Sequence, residues 1–526
     1  VQNCNFTATQ ASTKVVALRF RQSYNINVKG GIFTNLHSVM WATGTSNATV
    51  DGITATNCKE GGISFGTSTP VYVKNSTITG AQYGVRANGS GAYSLTVENS
   101  KLTAEVPVIV RETTGEYDLT VAADVTLAST NGGPQVVVTA DIDNKPYVVP
   151  TSNVNVTLYD NVTSTFGLTA KIGNAFYATL QDAVDNAIQD AVDNAKTGET
   201  VTLIADNCKE DVTVTQVPNY AITIDGAEKT FKGTITVDGK SARYETTALT
   251  IKNVKFDATE GISADACINL GAEGNNNTRY TNNVTVENCT FTDNDYSSVA
   301  VKSYTGGDRN LVVKDCEANG MHSLLQLANV EEGLIVDKCT ANTKNGLNLG
   351  SSKGVVIKDS EISVQGYAVR IGASSGGASG AITLENNKLK TNNSEGDAVI
   401  VVRSNAVTQV DLSMKKNVVS GTTHISGNTA ATKIAADENY WDGKDAPVAT
   451  TPIVVNSYYS DEALTTLVRN EMGSIYAFVS SDRIFGDVTT NAKESIKIEI
   501  IGKDDNLIGS STLEKTENAT GFNNTL

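Results

Sequence analysis

The sequence predicts an all-β solenoid, a parallel β-helix, and three observations predict it. A six-residue pattern returns at short, regular intervals along the chain. The composition suits many short strands joined by tight turns. A stretch of about five repeats also recurs as a whole some 285 residues further on.

The hexad reads apolar, polar, Asn/Asp/Gly, small, polar, apolar, and first runs from Val1 to Phe6 (VQNCNF). It begins again at Val28, Val50, Val73 and Val97, and later at Ile251, Val286, Val313, Val336, Ile357 and Leu384. The intervals are 21 to 27 residues, apart from one of 35. Each holds a second alternating run, such as Tyr83–Arg86 or Ala368–Ile371. That period, with two or three strands in it, is one coil of a β-solenoid. A propeller blade needs ~40–50 residues, and the Leu scaffold of a leucine-rich repeat is missing.

Each hexad position acquires a physical role once coils stack about 4.8 Å apart. The first and sixth, such as Val286 and Phe291, face the bore. The third holds Asn3, Asn75, Asn99, Asn253, Asn288, Asp315, Asp359 and Asn386, whose side chains can bond turn backbone and one another. The fourth is small: Cys4, Ser76, Ser100, Cys289, Cys316, Cys339 and Ser360. The second points to solvent and alternates in charge: Lys252, Glu287, Lys314, Asp337, Lys358, Glu385, and earlier Lys29, Asp51, Lys74, Glu98. Stacked opposite charges stabilise by ~0.2–1 kcal/mol per pair, so this strip reads as register control, not as a ligand site.

The larger repeat shows two tandem copies of one unit. Val1–Thr7 aligns with Val286–Thr292, Leu36–Ser38 with Met321–Ser323, and Val71–Ala87 with Val355–Ile371. Thr96–Leu102 aligns with Thr383–Leu389 and Val108–Arg111 with Ile400–Arg403. Between the copies, Leu180, Ala183, Val184, Ala187, Ile188, Ala191 and Val192 have helical spacing, and Thr179 with Asp182 approximates a capping box. A helix over about 179–196 is expected to cap the second copy's first coil. The expected domains are a first β-helix copy over 1–165, a second over 166–460, and a partial β-sandwich over 461–526. The chain opens without Met and stops within a strand pattern, as a fragment would.

Gly is abundant (44) and Pro scarce (8), and the formal charge of −16 carries no basic footprint for nucleic acid. No run of 18 apolar residues is present, so no membrane span is expected in this fragment. Seven cysteines are best read as small buried free thiols, with no metal-ligand spacing around them and no cofactor fingerprint in the chain.

The Asn-bearing hexad, the entry segment from Ile172 to Val184 and the segment Asn439–Gly443 resemble the pectin-lyase-like right-handed parallel β-helix proteins. More narrowly, they resemble the large adhesin-like surface proteins of gut-dwelling bacteria. The resemblance covers residues 1 to about 460. It implies a right-handed β-helix at the surface of a bacterium or secreted from it, with a glycan or a host-surface molecule as ligand. The same fold also hosts polysaccharide lyases and glycoside hydrolases, which is the alternative reading.

Catalysis requires residues that the chain does not obviously assemble. Asp293 and Asp295 share a loop without matching acids one coil away, and an inverting hydrolase needs two acids ~6.5–9.5 Å apart. Lys302 and Arg370 lie about three coils apart, on the order of 14 Å. No catalytic residue is therefore assigned. The bulky polar residues kept in both copies are the candidate ligand-binding residues: His37 and His322, Arg86 and Arg370, Arg111 and Arg403. Their cations suit bidentate contacts to acidic sugars.

Overall fold

The computed structural model describes residues 1–66, 69–88, 93–111, 117–131, 134–139, 154–158, 165–166, 168–173, 175–177, 179–194, 198–218, 220–239, 247–262, 264–271, 280–303, 307–328, 330–372, 380–392, 398–403, 410–427, 432–451, 453, 455–469, 474–479, 484–489, 495–501 and 507–514. The chain is a right-handed parallel β-helix. It resolves into two compact units, residues 1–352 and 353–526.

In the first unit the hexads stack in register. Val28 pairs with Val50, Val50 with Val73 and Val73 with Val97, while Ile251, Val286, Val313 and Val336 form the equivalent column further on. All of these are at most 1% exposed. The sixth position fills the bore: Phe256 and Phe291 stack at 5.0 Å between ring centroids, and Phe231 of the preceding coil meets Phe256 edge-on at 5.7 Å. Truncating any one of the three to Ala should cost about 3–5 kcal/mol, because neighbouring coils cannot collapse into the void.

The third hexad position is more than a ladder. Asn3, Asn75, Asn99, Asn253, Asn288 and Asp315 all have φ between 37° and 55°, the left-handed region that only Gly, Asn and Asp enter at little cost. Gly30 and Gly52 fill the same place at φ 64° and 71°. The side chains then bond between coils: Asn75 donates to Asp51 at 2.7 Å, Asn99 to Asn75 at 2.7 Å and Asn288 to Asn253 at 2.8 Å. The fourth position is buried, and Ser or Cys makes the same bond there. Ser76 donates to the Lys74 carbonyl at 2.8 Å, and Cys316 donates to that of Lys314 at 3.2 Å. That shared bond explains how Ser and Cys exchange in one column.

The second position holds the expected strip. Lys252 pairs with Glu287, Glu287 with Lys314, and Lys314 with Asp337. Lys314 reaches Glu287 at 3.0 Å, and Lys252 reaches Asp225 at 3.4 Å.

The helix spans Leu180–Asn194. Thr179 accepts from the Asp182 amide at 3.0 Å, and Glu210 takes the Leu180 and Gln181 amides at 2.9 and 2.8 Å. A carboxylate at this end also suits the helix dipole. Leu180, Ala183, Val184, Ala187 and Ala191 are buried, but Val192, expected on the apolar stripe, is 56% exposed. The join between the copies is antiparallel: Val154–Leu158 pairs with Ala175–Tyr177, which pairs with Ala170–Ile172, which pairs with Glu199–Leu203. The first copy therefore ends on a paired strand and presents no open edge there.

The second unit continues the pattern within itself. Lys358 pairs with Glu385 and Glu385 with Lys415, so the charge alternation extends one coil beyond the residues read from sequence. Ser360, Asn387, Asn417 and Asn439 form its buried fourth column, with Asn417 donating to Asn439 at 2.8 Å. Antiparallel pairs follow: Ser457–Tyr459 with Leu467–Arg469, Ser474–Val479 with Ile484–Thr489, and Ser495–Ile501 with Leu507–Glu514.

Candidate functional site

The third strand of each coil carries the residues kept between the copies. In the first copy Arg19 pairs with Trp41, Trp41 with Ser64, Ser64 with Arg86, and Arg86 with Ile109. These are outward positions, because Leu18, Met40, Ile63 and Val85 beside them are buried in the bore.

Glu60 gathers the polar members. It accepts from Nη1 of Arg86 at 2.6 Å through one carboxylate oxygen and from Nε2 of His37 through the other. The bond assigns the His37 proton to Nε2, and Nδ1 is buried without a hydrogen-bond partner. The His37 ring meets Trp41 edge-on at 5.7 Å. Arg19 lies over the indole at 5.6 Å, and Arg86 over the Tyr83 ring at 5.4 Å. Between these walls is a groove of about 280 Å³ lined by Arg19, Trp41, Glu60, Ser64, Arg86 and Asn88, among others. Ser64 Oγ and Asn88 Oδ1 on its lining are buried without hydrogen-bond partners.

His37 and Arg86 are thus brought together. Arg111 ends the strand Lys101–Arg111, two residues beyond the partner of Arg86, and pairs with Thr139. In the second copy, the first unit holds His322, whose Nδ1 is 3.0 Å from Ser323 Oγ. Burial and the cations Lys344 and Lys302 hold its imidazole below the usual histidine range. The column beside it is Asn269, Lys302, Gln326 and Asn348. Lys302 is engaged by Asp265 at 2.7 Å. In the second unit, Arg370 lies over Tyr367 at 5.7 Å, repeating the Arg86–Tyr83 contact, and Arg403 follows the strand Ile400–Val402.

Arg19, Trp41 and Glu60 are the site residues that sequence reasoning missed, although their spacing signals them. Trp41, Ser64 and Arg86 are one coil apart each, and so are His37 and Glu60. The acids weighed for catalysis are used locally: Asp293 accepts from Ser297 and Ser298, and Asp295 from the Ser297 amide. Those Ser297 bonds lower the Asp295 pKa. Among the described residues no group of three or more His, Cys, Asp or Glu side chains could hold a metal ion. Among the described residues no helix is long and apolar enough to cross a membrane.

Residues 1–124, which carry this groove, match the family described as right handed beta helix region. The comparison with curated proteins and that with solved structures gave no match.

Proposed function

We propose that the chain is a non-catalytic, extracellular, adhesin-like surface module that contacts a glycan through the third strands of its first copy. One observation carries this reading: an aromatic wall, Trp41, stands beside a paired cation and carboxylate, Arg86 and Glu60, in a shallow outward groove. Aromatic faces take the C–H side of sugars, and paired polar groups take hydroxyls. The extracellular placement follows from the sequence resemblance. The non-catalytic part follows from how the acids weighed for catalysis are used, since Asp293 and Asp295 are taken up by Ser297 and Ser298 of their own loop.

A second reading, a secreted polysaccharide lyase or glycoside hydrolase, is favoured by the same His37–Glu60 pair. A carboxylate-oriented imidazole is a general-base arrangement. Incubating the full chain with acidic and neutral polysaccharides separates the two. Retention without new reducing ends or unsaturated products is the expected result. Turnover that is lost in His37→Ala would replace the module with an enzyme.

A further inference from the structure

We infer that the first copy's groove is a slot for one uncharged pyranose ring, gripped between the Trp41 indole and the Arg86–Glu60 pair. The inference rests on the glycan-binding reading above and names the sugar class.

The slot arises because a small residue sits between two large ones in one column. Trp41 and Arg86 flank Ser64, so they lie two coils apart, about 9.6 Å at the backbone. Arg19, one coil before Trp41, covers one indole face, which leaves the other face looking across the Ser64 coil. A ring stacked at van der Waals distance from both walls needs about 7–8 Å between them. One ring fits, and two do not. The volume of about 280 Å³ is likewise at the lower end of ligand pockets.

The polar groups select against charge. Arg86 is already compensated by Glu60 at 2.6 Å, so the slot offers N–H donors and carboxylate lone pairs side by side. That pairing suits adjacent hydroxyls, each of which can donate and accept. A uronate carboxylate would meet Glu60 and be repelled. The second copy has Gln326, Asn348 and Lys344 where the first has Trp41, Ser64 and Glu60, so the aromatic wall and the carboxylate are both missing there. Binding is therefore expected once per chain in unit 1.

Tryptophan fluorescence reads the slot directly. The chain has two Trp, and Trp441 is 0% exposed, so a ligand-dependent change reports Trp41. The full chain is titrated with neutral hexasaccharides (cello-, xylo- and manno-series) and with oligogalacturonate and oligoguluronate. A saturable change with at least one neutral series and none with the uronates is expected. Ser64→Leu keeps the reporter but fills the slot, and should weaken binding at least tenfold with an unchanged circular dichroism spectrum. Asn348→Leu, at the second copy's equivalent position, should bind as wild type. Binding of uronates alone, or undiminished neutral-sugar binding by Ser64→Leu, would overturn the neutral slot and leave glycan contact standing. No binding to any member of the panel, by fluorescence or by retention on the parent polysaccharides, would overturn both.

Discussion

His37 and His322 occupy the same place in the two copies, 285 residues apart, yet their electrostatic surroundings are opposite. His37 is bonded to Glu60, which also holds Arg86. In strand register the second copy has Lys344 at the position of Glu60, since Ser38 pairs with Gly61 and Ser323 with Asn345. His322 faces Lys344 and Lys302 instead, and with burial they depress its basicity. The duplication kept the imidazole and discarded its acid. A repeated scaffold therefore does not repeat a site: the backbone fixes where a side chain stands, and the neighbour one coil away decides its charge. The third histidine, His424 in the second unit, extends the series, being fully buried with no acid bonded to it.

The largest test of that comparison is pH. Burial and Lys444 push His424 down to about 4, against a small opposing effect of Asp442. Its folded pKa lies below the unfolded value, so the unfolded chain binds the proton first. Stability is then full above about pH 6.5 and falls as the pH drops toward 4, by about 3 kcal/mol in total. Urea denaturation at pH 7 and pH 4.5 should show the loss, and His424→Gln should flatten it. An unchanged pH slope in the variant would assign the loss to other groups.

Removing the acid from the first copy comes next. Glu60→Gln removes the charge that pairs with the largely buried Arg86 guanidinium at 2.6 Å and should cost about 2 kcal/mol in the same assay. Lys344→Ala at the equivalent position should stay within about 0.5 kcal/mol. Equal costs would mean that the Glu60 cluster is not a coupled unit.

Restoring the acid in the second copy sharpens the contrast. Lys344→Glu replaces a cation beside His322 with a carboxylate and should raise the imidazole pKa toward the ordinary histidine range. A proton NMR titration of the imidazole resonances reads the shift directly.

The smallest effect concerns the charge strip. Lys314→Glu puts three acids in successive coils, Glu287, the new Glu and Asp337, and should destabilise by about 1 kcal/mol at low salt. The cost should shrink in 0.5 M salt, where exposed charges are screened.

Much of this was legible without coordinates. The period located the coils, the alternation located the charged strip, and the offset located His37 and Arg86 with their counterparts. Cys289, Cys316 and Cys339 are buried in the small column as expected, while Cys4 of the same column is only partly buried. All seven are free, and burial pushes the Cys208 thiol up to about 12. The groove was not legible in the same way, because its members come from four successive coils and only the stacking of those coils brings them together. Arg19 and Trp41 are not repeated in the second copy, so a search for retained residues passes over them. Glu60 was lost for the same reason.

The amino-acid order alone determined the solenoid, its register and its duplication. Those follow from local rules: apolar side chains alternate toward one bore, and Asn, Asp or Gly stands at most of the turns through positive φ, with Lys338 and Lys416 among the exceptions. The tertiary structure decided which residues meet across coils. It coupled His37 to Arg86 through Glu60, left Ser64 as the floor between two walls, and closed the first copy with antiparallel strands in place of an open end. Such contacts depend on distances of a few ångströms between segments more than twenty residues apart, and no local propensity encodes them.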